Sequence, residues 1–208
     1  MKPLYLFGAG SQAKVLWEFL RDEFSLVAIL NDFPAESPIP GVPVLEFDKA
    51  SSQLDTSAHF AVSIGNHHGR PRVKKHEALI SLGLSPVIAR HPLAQTARGV
   101  SIGEGCQLLA MSFAAVDCHL GRQVILNTAC SIDHECVLAD GVHIGPGARV
   151  AGRVKIGAGS FLGTGAIVLP DLIIGEDCII GAGAVVTKDI ADGAVVAGNP
   201  ARVIRRIR

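Results

Sequence analysis

An imidazole titrates near pH 6.5, so the eight histidines are the groups of this 208-residue chain best able to move a proton at neutral pH. His134 stands apart by its neighbours, because carboxylates flank it on both sides at Asp133 and Glu135. A lone histidine is ordinarily structural or solvated. In this setting it could serve as a general base, taking the proton from an amine or hydroxyl during attack, a role worth about 10²–10⁴-fold in rate. Glu135 raises a geometric difficulty. Adjacent strand residues point to opposite faces, so its carboxylate reaches His134 only where the backbone turns. No Cys or Ser sits in a nucleophile motif, which favours direct attack without a covalent intermediate. His119, His134 and His143 stand 15 and 9 residues apart.

A second cluster lies near the N-terminus. Gly8-x-Gly10-x-x-Ala13 follows the apolar run Leu4–Phe7 and opens an amphipathic stretch reaching about Leu20. That is a dinucleotide fingerprint with Ala in the third place: a tight turn that brings phosphate oxygens to a helix N-terminus. Asn31-Asp32 close a second apolar run, Ser25–Leu30, and Asp32 is placed to hold ribose hydroxyls. Gly65-Asn66 close a third, Phe60–Ile64, and His67-His68 follow them in the same loop. Arg70–Leu82 reads as helical and Pro86–Ala89 as a fourth strand. Strands alternating with helices predict a small Rossmann-like parallel α/β domain over residues 1–92, with 91–100 as a connection. About ninety residues make half of a two-lobed dinucleotide fold, so a mononucleotide or nucleotide-sugar fits better than NAD.

The rest of the chain, residues 93–208, obeys a different rule. Every sixth residue from Ile102 to Val186 is aliphatic: fourteen of fifteen are Leu, Ile or Val, and the other is Ala114. A period of six fits neither a 3.6-residue helix nor strand alternation. It fits a short strand plus a turn, three of which make an 18-residue triangular coil of a β-helix. Gly152 then lies one coil above His134, where a missing side chain leaves room over the base. On a period of 18 the three histidines do not stack, so a His₃ metal site, as in a hydratase, would have to converge between subunits. All five cysteines fall four residues after a repeat aliphatic, which reads as small inward core rather than disulfide or metal.

Composition bounds the partners. Lys+Arg and Asp+Glu balance at 19 each, so nucleic acid and anionic membranes are not expected to bind. The N-terminal apolar run is too short for a signal peptide and no later run could span a bilayer, so a cytoplasmic protein is expected.

A short nucleotide-binding α/β domain followed by a hexapeptide β-helix resembles the bacterial sugar O-acyltransferase family, which contains nucleotide-linked 4-aminosugar N-acetyltransferases and sialic acid O-acetyltransferases. The most specific segment is Ile125-Leu126-Asn127-Thr128 through Ile132-Asp133-His134-Glu135-Cys136. Gly145-Pro146-Gly147, Leu169-Pro170 and Gly198-Asn199-Pro200-Ala201-Arg202 match as well. The resemblance implies a left-handed coil, a homotrimer, acetyl-CoA as donor and no metal. It implies His134 as base with Glu135 tuning it. It places His143, Gly152, Thr164, Ala182 and Arg202 at acetyl-CoA, and Gly10, Ser11, Gln12, Asn31, Asp32 and Gly65 at the nucleotide-sugar. Two departures bear on the acceptor. The family often has Ser-Gly-His where this chain has Gly10-Ser11-Gln12, and an acidic pair where it has Asn31-Asp32. The expected reaction is acetylation of a UDP- or GDP-linked 4-amino-4,6-dideoxysugar, with O-acetylation of a sialic-acid-type sugar as the alternative. The further alternative, a binding protein or NAD enzyme using only the front domain, would be protected by NAD and not by CoA.

Overall fold

A computed structural model describes residues 1–207; Arg208, the last residue of the basic tail, lies outside the described residues. The front domain is a five-stranded parallel sheet of β1 (Lys2–Phe7), β2 (Phe24–Asn31), β3 (Val44–Glu46), β4 (His59–Val62) and β5 (Ser85–Pro86), in the order β3-β2-β1-β4-β5. Helix α1 (Ser11–Leu20) buries Ala13, Leu16, Phe19 and Leu20 on one side of the sheet. On the other side α3 (Gly69–Ser81) and the short α2 (Phe47–Ala50) pack Leu79 and Phe47 against Phe7, Phe60 and Val62. β1 is flanked by β2 and β4, so chain order reverses beside it. The crevice beyond the carboxyl ends of β1 and β4 is the usual ligand position in such sheets.

The second domain is a left-handed parallel β-helix of two-residue strands forming three faces. The first face runs from Ala89–Arg90 through Gln107–Leu108, Ile125–Leu126, His143–Ile144 and Phe161–Leu162 to Ile179–Ile180. The second contains Phe113–Ala114, Ser131–Ile132, Arg149–Val150 and Ile167–Val168. The third contains His119–Leu120, Val137–Leu138, Lys155–Ile156 and Ile173–Ile174. Strand residues pair in register with the residue 18 positions on, as Ser131 does with Arg149, until the last turn, where Ile179 pairs with Val195. The repeat aliphatics and all five cysteines fill the interior, with every Cys fully buried. Cys118 Sγ and Cys136 Sγ donate to the carbonyls of Asp133 and Ala151 at 3.0 and 3.1 Å. Burial pushes the Cys106 and Cys130 thiols up to about 12, which leaves them inert as nucleophiles.

The β-helix begins earlier than the repeat suggested. Residues 91–100, expected to be a connection, contain the strand Gln95–Thr96, which pairs with Phe113–Ala114. Ala89, expected in a front-domain strand, instead pairs with Gln107 at the base of the first face. The aliphatic register is masked there because Arg90 and Thr96 occupy the positions that Leu108 and Ala114 fill one coil higher. At the far end Arg202–Arg206 folds back antiparallel on Ala194–Ala197. Among the described residues no helix is long and apolar enough to cross a membrane.

Candidate active site

The turns joining second-face strands to third-face strands form one edge of the prism. Asp117, Glu135, Arg153 and Asp171 stack along it at intervals of 18, all with φ between 58 and 63°. A non-glycine residue in the left-handed region is uncommon. The last three are held there by ladder bonds: Glu135 N donates to Val116 O and Arg153 N to His134 O, both at 2.9 Å, and Asp171 N to Gly152 O at 3.1 Å. The left-handed turn resolves the difficulty with Glu135. The chain reverses between the two side chains, and His134 Nδ1 lies 2.9 Å from Glu135 Oε2. A carboxylate only accepts, so this bond puts the imidazole proton on Nδ1 and leaves Nε2 as the free acceptor. Asp133 acts otherwise: its Oδ1 accepts from the His134 backbone amide at 2.8 Å.

Nε2 faces Gly152. A Cβ built on Gly152 would stand 2.5 Å from His134 Nε2 and 2.6 Å from Cε1. The space over the imidazole therefore exists because that residue is glycine. Glu135→Gln should lower kcat about tenfold or more with substrate KM values unchanged, because an amide can donate to Nδ1 and select the wrong tautomer. Steady-state kinetics at saturating donor and acceptor check this.

A separate cleft of about 290 Å³ lies between the front domain and the first face, lined by Gly10, Ser11, Gln12, Ser63, Gly65, Asn66, His68, Asn127 and His143. Both α1 and α3 begin at it, with caps Gly10 and His68 that make no side-chain capping bond. Amides left free at helix starts favour anions. Four of the six expected nucleotide-sugar positions, Gly10, Ser11, Gln12 and Gly65, meet here. The other two are engaged nearby. Asn31 Oδ1 accepts from Ala9 N at 3.3 Å. Asp32, expected at ribose hydroxyls, pairs with Lys75, whose ammonium also lies 4.9 Å from the Phe7 ring centre. Gln12 spends its amide on the β-helix, Nε2 donating to Gln107 Oε1 at 2.7 Å. A larger hollow of about 640 Å³, between β2, β3 and α2, is mainly apolar and contains none of these residues.

His143 closes the cleft from the β-helix side. Asn127 Nδ2 donates to its Nε2 at 3.0 Å and its Nδ1 donates to the Asn66 carbonyl at 3.2 Å. Burial, with Arg72 adding to it, holds its pKa at about 4. A folded value below the unfolded one means stability complete above about pH 6.5 and lost as pH falls toward 4, a loss of up to about 3 kcal/mol. Burial also lowers His76 and His68. His143→Gln should therefore lose less Tm than the unmodified protein between about pH 7 and pH 4.5, as read by thermal melts.

The remaining expected acetyl-CoA positions divide between edges. Thr164 and Ala182 are exposed one above the other on the edge between first and second faces, while Gly152 is on the next edge beside His134. Arg202 is exposed and donates to its neighbouring Ala201 carbonyl. Sequence reasoning missed Ser63, Asn66 and Asn127 as cleft residues. Of the three, Asn127 carried a signal, a polar residue at the end of a first-face strand within the most family-specific segment. Among the described residues no group of three or more His, Cys, Asp or Glu could hold a metal ion.

The bacterial transferase hexapeptide (six repeats) family matches residues 153–188. GDP-perosamine N-acetyltransferase of Escherichia coli O157:H7 is 32% identical over 159 residues, covering 73% of this chain and 71% of that protein. The crystal structure of PerB from Caulobacter crescentus in complex with CoA and GDP-perosamine superimposes with a TM-score of 0.91 at 35% identity, covering 99% of this chain and 98% of that one. The acetyltransferase domain of PglB from Neisseria gonorrhoeae FA1090, in complex with acetyl coenzyme A, gives 0.89 at 33% identity, covering 98% and 99%. Fold and site together define a hexapeptide-repeat acyltransferase. Within that class the chain belongs to the bacterial sugar acyltransferase family and is an acetyl-CoA-dependent sugar N-acetyltransferase.

Proposed function

We propose that this protein acetylates the amine of a GDP-linked aminosugar, with His134 as general base and residues 1–92 as the nucleotide-sugar domain. The observation that carries the reading is the His134–Glu135 pair: one nitrogen tied to a carboxylate at 2.9 Å, the other open toward Gly152. The acceptor amine attacks the thioester carbonyl, its nitrogen–carbon bond forms and the carbon–sulfur bond breaks. His134 Nε2 takes the proton the nitrogen gives up and returns it to the departing thiolate. Glu135 stabilises the imidazolium between those events. The two helix starts at the cleft suit the diphosphate, with Gly10, Ser11, Gln12, Asn31, Asp32 and Gly65 around the nucleotide-sugar. His143, Gly152, Thr164, Ala182 and Arg202 are assigned to acetyl-CoA. The relatives PerB, with GDP-perosamine, and PglB, with acetyl coenzyme A, support the choice of ligands.

The active form is a homotrimer. In one chain the whole second face separates His134 from the cleft, and Thr164 from Gly152. That face exposes Phe113 and Ile167, each 40% accessible, around a shallow pocket with Arg149 and Ile132. Packing it against a second copy would cover the apolar patch and bring the base of one subunit to the cleft of the next. CoA release with GDP-, UDP- and CMP-linked aminosugars and free sialic acid tests the reading. Release that needs the GDP-linked amine supports it. Release only with sialic acid would transfer the assignment to O-acetylation.

A further inference from the structure

Arg72 is the largest fully buried side chain among the described residues, at 0% exposure. Its guanidinium donates to three backbone carbonyls: Nε to Gln123 at 2.9 Å, Nη1 to Ile64 at 3.0 Å and Nη2 to Gly141 at 2.7 Å. Gln123 and Gly141 are left-handed turn residues one coil apart, on the edge between third and first faces. Ile64 opens the loop that carries Gly65, Asn66 and His68 into the cleft. The next carbonyl but one, of Asn66, receives the His143 Nδ1 proton. One side chain thus ties two coils of the β-helix to the acceptor-side loop, and the loop in turn fixes the ring of His143.

Burying a guanidinium is costly, and the bonds of Arg72 all go to neutral carbonyls, which return less than a carboxylate would. An apolar side chain could fill the volume at lower cost. What it could not do is hold three carbonyls from separate segments in one plane, which the rigid fork of Arg does and the single ammonium of Lys does not. The docking is close throughout: a Cβ at Gly69, the first residue of α3, would stand 2.8 Å from the Gly159 Cα.

We propose that Arg72 is a positioning residue for the acceptor, setting the affinity for the nucleotide-linked sugar by fixing the Ile64–His68 loop against the β-helix. The inference rests on the cleft being the acceptor site. Arg72→Lys and Arg72→Met are to be compared with the unmodified protein by thermal melting, histidine NMR without ligands, and kinetics with acetyl-CoA and a GDP-linked aminosugar. In both variants the acceptor KM should rise about tenfold or more, while kcat stays within about threefold and the acetyl-CoA KM, which feels the loop only through His143, rises by less than about threefold. His143, a single Nδ1–H tautomer in the unmodified protein, should become a mixture as its Asn66 partner moves. A folded Arg72→Lys with the original acceptor KM would overturn the proposal, as would both KM values and kcat shifting together. Should Arg72→Met fail to fold, Arg72→Lys decides alone. Should the unmodified protein acetylate no nucleotide-linked amine, the reading of the cleft fails. The His143 tautomer in the variants then still decides whether Arg72 holds the loop.

Discussion

His134→Ala lowers kcat for acetyl transfer by about 10²–10⁴-fold while leaving the KM for acetyl-CoA and for the acceptor nearly unchanged. The size follows from the role proposed for the imidazole. A sugar ammonium is no nucleophile, and the neutral amine that attacks a thioester becomes positively charged at nitrogen and must shed one of its own protons as the bond forms. Without His134 that proton goes to water, with no group already placed beside it. The KM values hold because the alanine removes a contact made with a moving proton, not with either bound substrate, so the interaction lost belongs to the transition state alone. His134 is 39% exposed at its side chain and packs into none of the three apolar cores, so the variant should melt within a degree or two of the unmodified protein. CoA release with melts on the same sample separates the cases. An equal rate in the variant would remove His134 from the chemistry.

Gly152→Ala comes close to that loss without touching an ionisable group. The added methyl would stand 2.5 Å from His134 Nε2, well inside van der Waals contact. The backbone at Gly152 is anchored to the ladder, its carbonyl accepting from Asp171 N at 3.1 Å. The imidazole is the softer partner, so it rotates away, out of line with the acceptor, or breaks from Glu135. A displacement near 1 Å in a reacting group costs roughly 10²-fold. Gly152→Ala should therefore cut kcat about a hundredfold with no loss of thermal stability, and Gly152→Val should add a rise in acetyl-CoA KM. Unchanged kinetics in Gly152→Ala would show that the ring has room to spare and that the catalytic nitrogen does not face this glycine.

Much of this was legible in the residues. The six-residue period implies the β-helix, and an 18-residue coil places Gly152 over His134 by counting alone. The inward register of the cysteines followed from the same count. The left-handed turn at Glu135 was not legible, because glutamate has no preference for positive φ. The ladder bond to Val116 O is a long-range fact that overrides a local one. The inter-domain contacts were equally hidden. Gln107 and His143 hold outward positions on the first face, which a repeat reads as exposed; they are buried because the front domain covers that face. Arg72 looked like any polar residue of an amphipathic helix, since its carbonyl partners Gln123 and Gly141 lie some 50 and 70 residues away. The β-helix start was missed because its first coil carries polar residues at the repeat positions.

The fold-back of Arg202–Arg206 bears on solubility as a property of the architecture. A parallel β-helix ends in a row of unpaired amides and carbonyls, a template on which another chain could continue the stack into a fibre. Here the last first-face strand is already paired, in the antiparallel sense, by a segment that presents three arginines to solvent. A further chain arriving in parallel register would meet a strand of the wrong polarity and a row of like charge. Removing residues 202–208 should therefore leave that edge open and promote end-to-end polymerisation relative to the unmodified protein, as read by light scattering of the two at equal concentration.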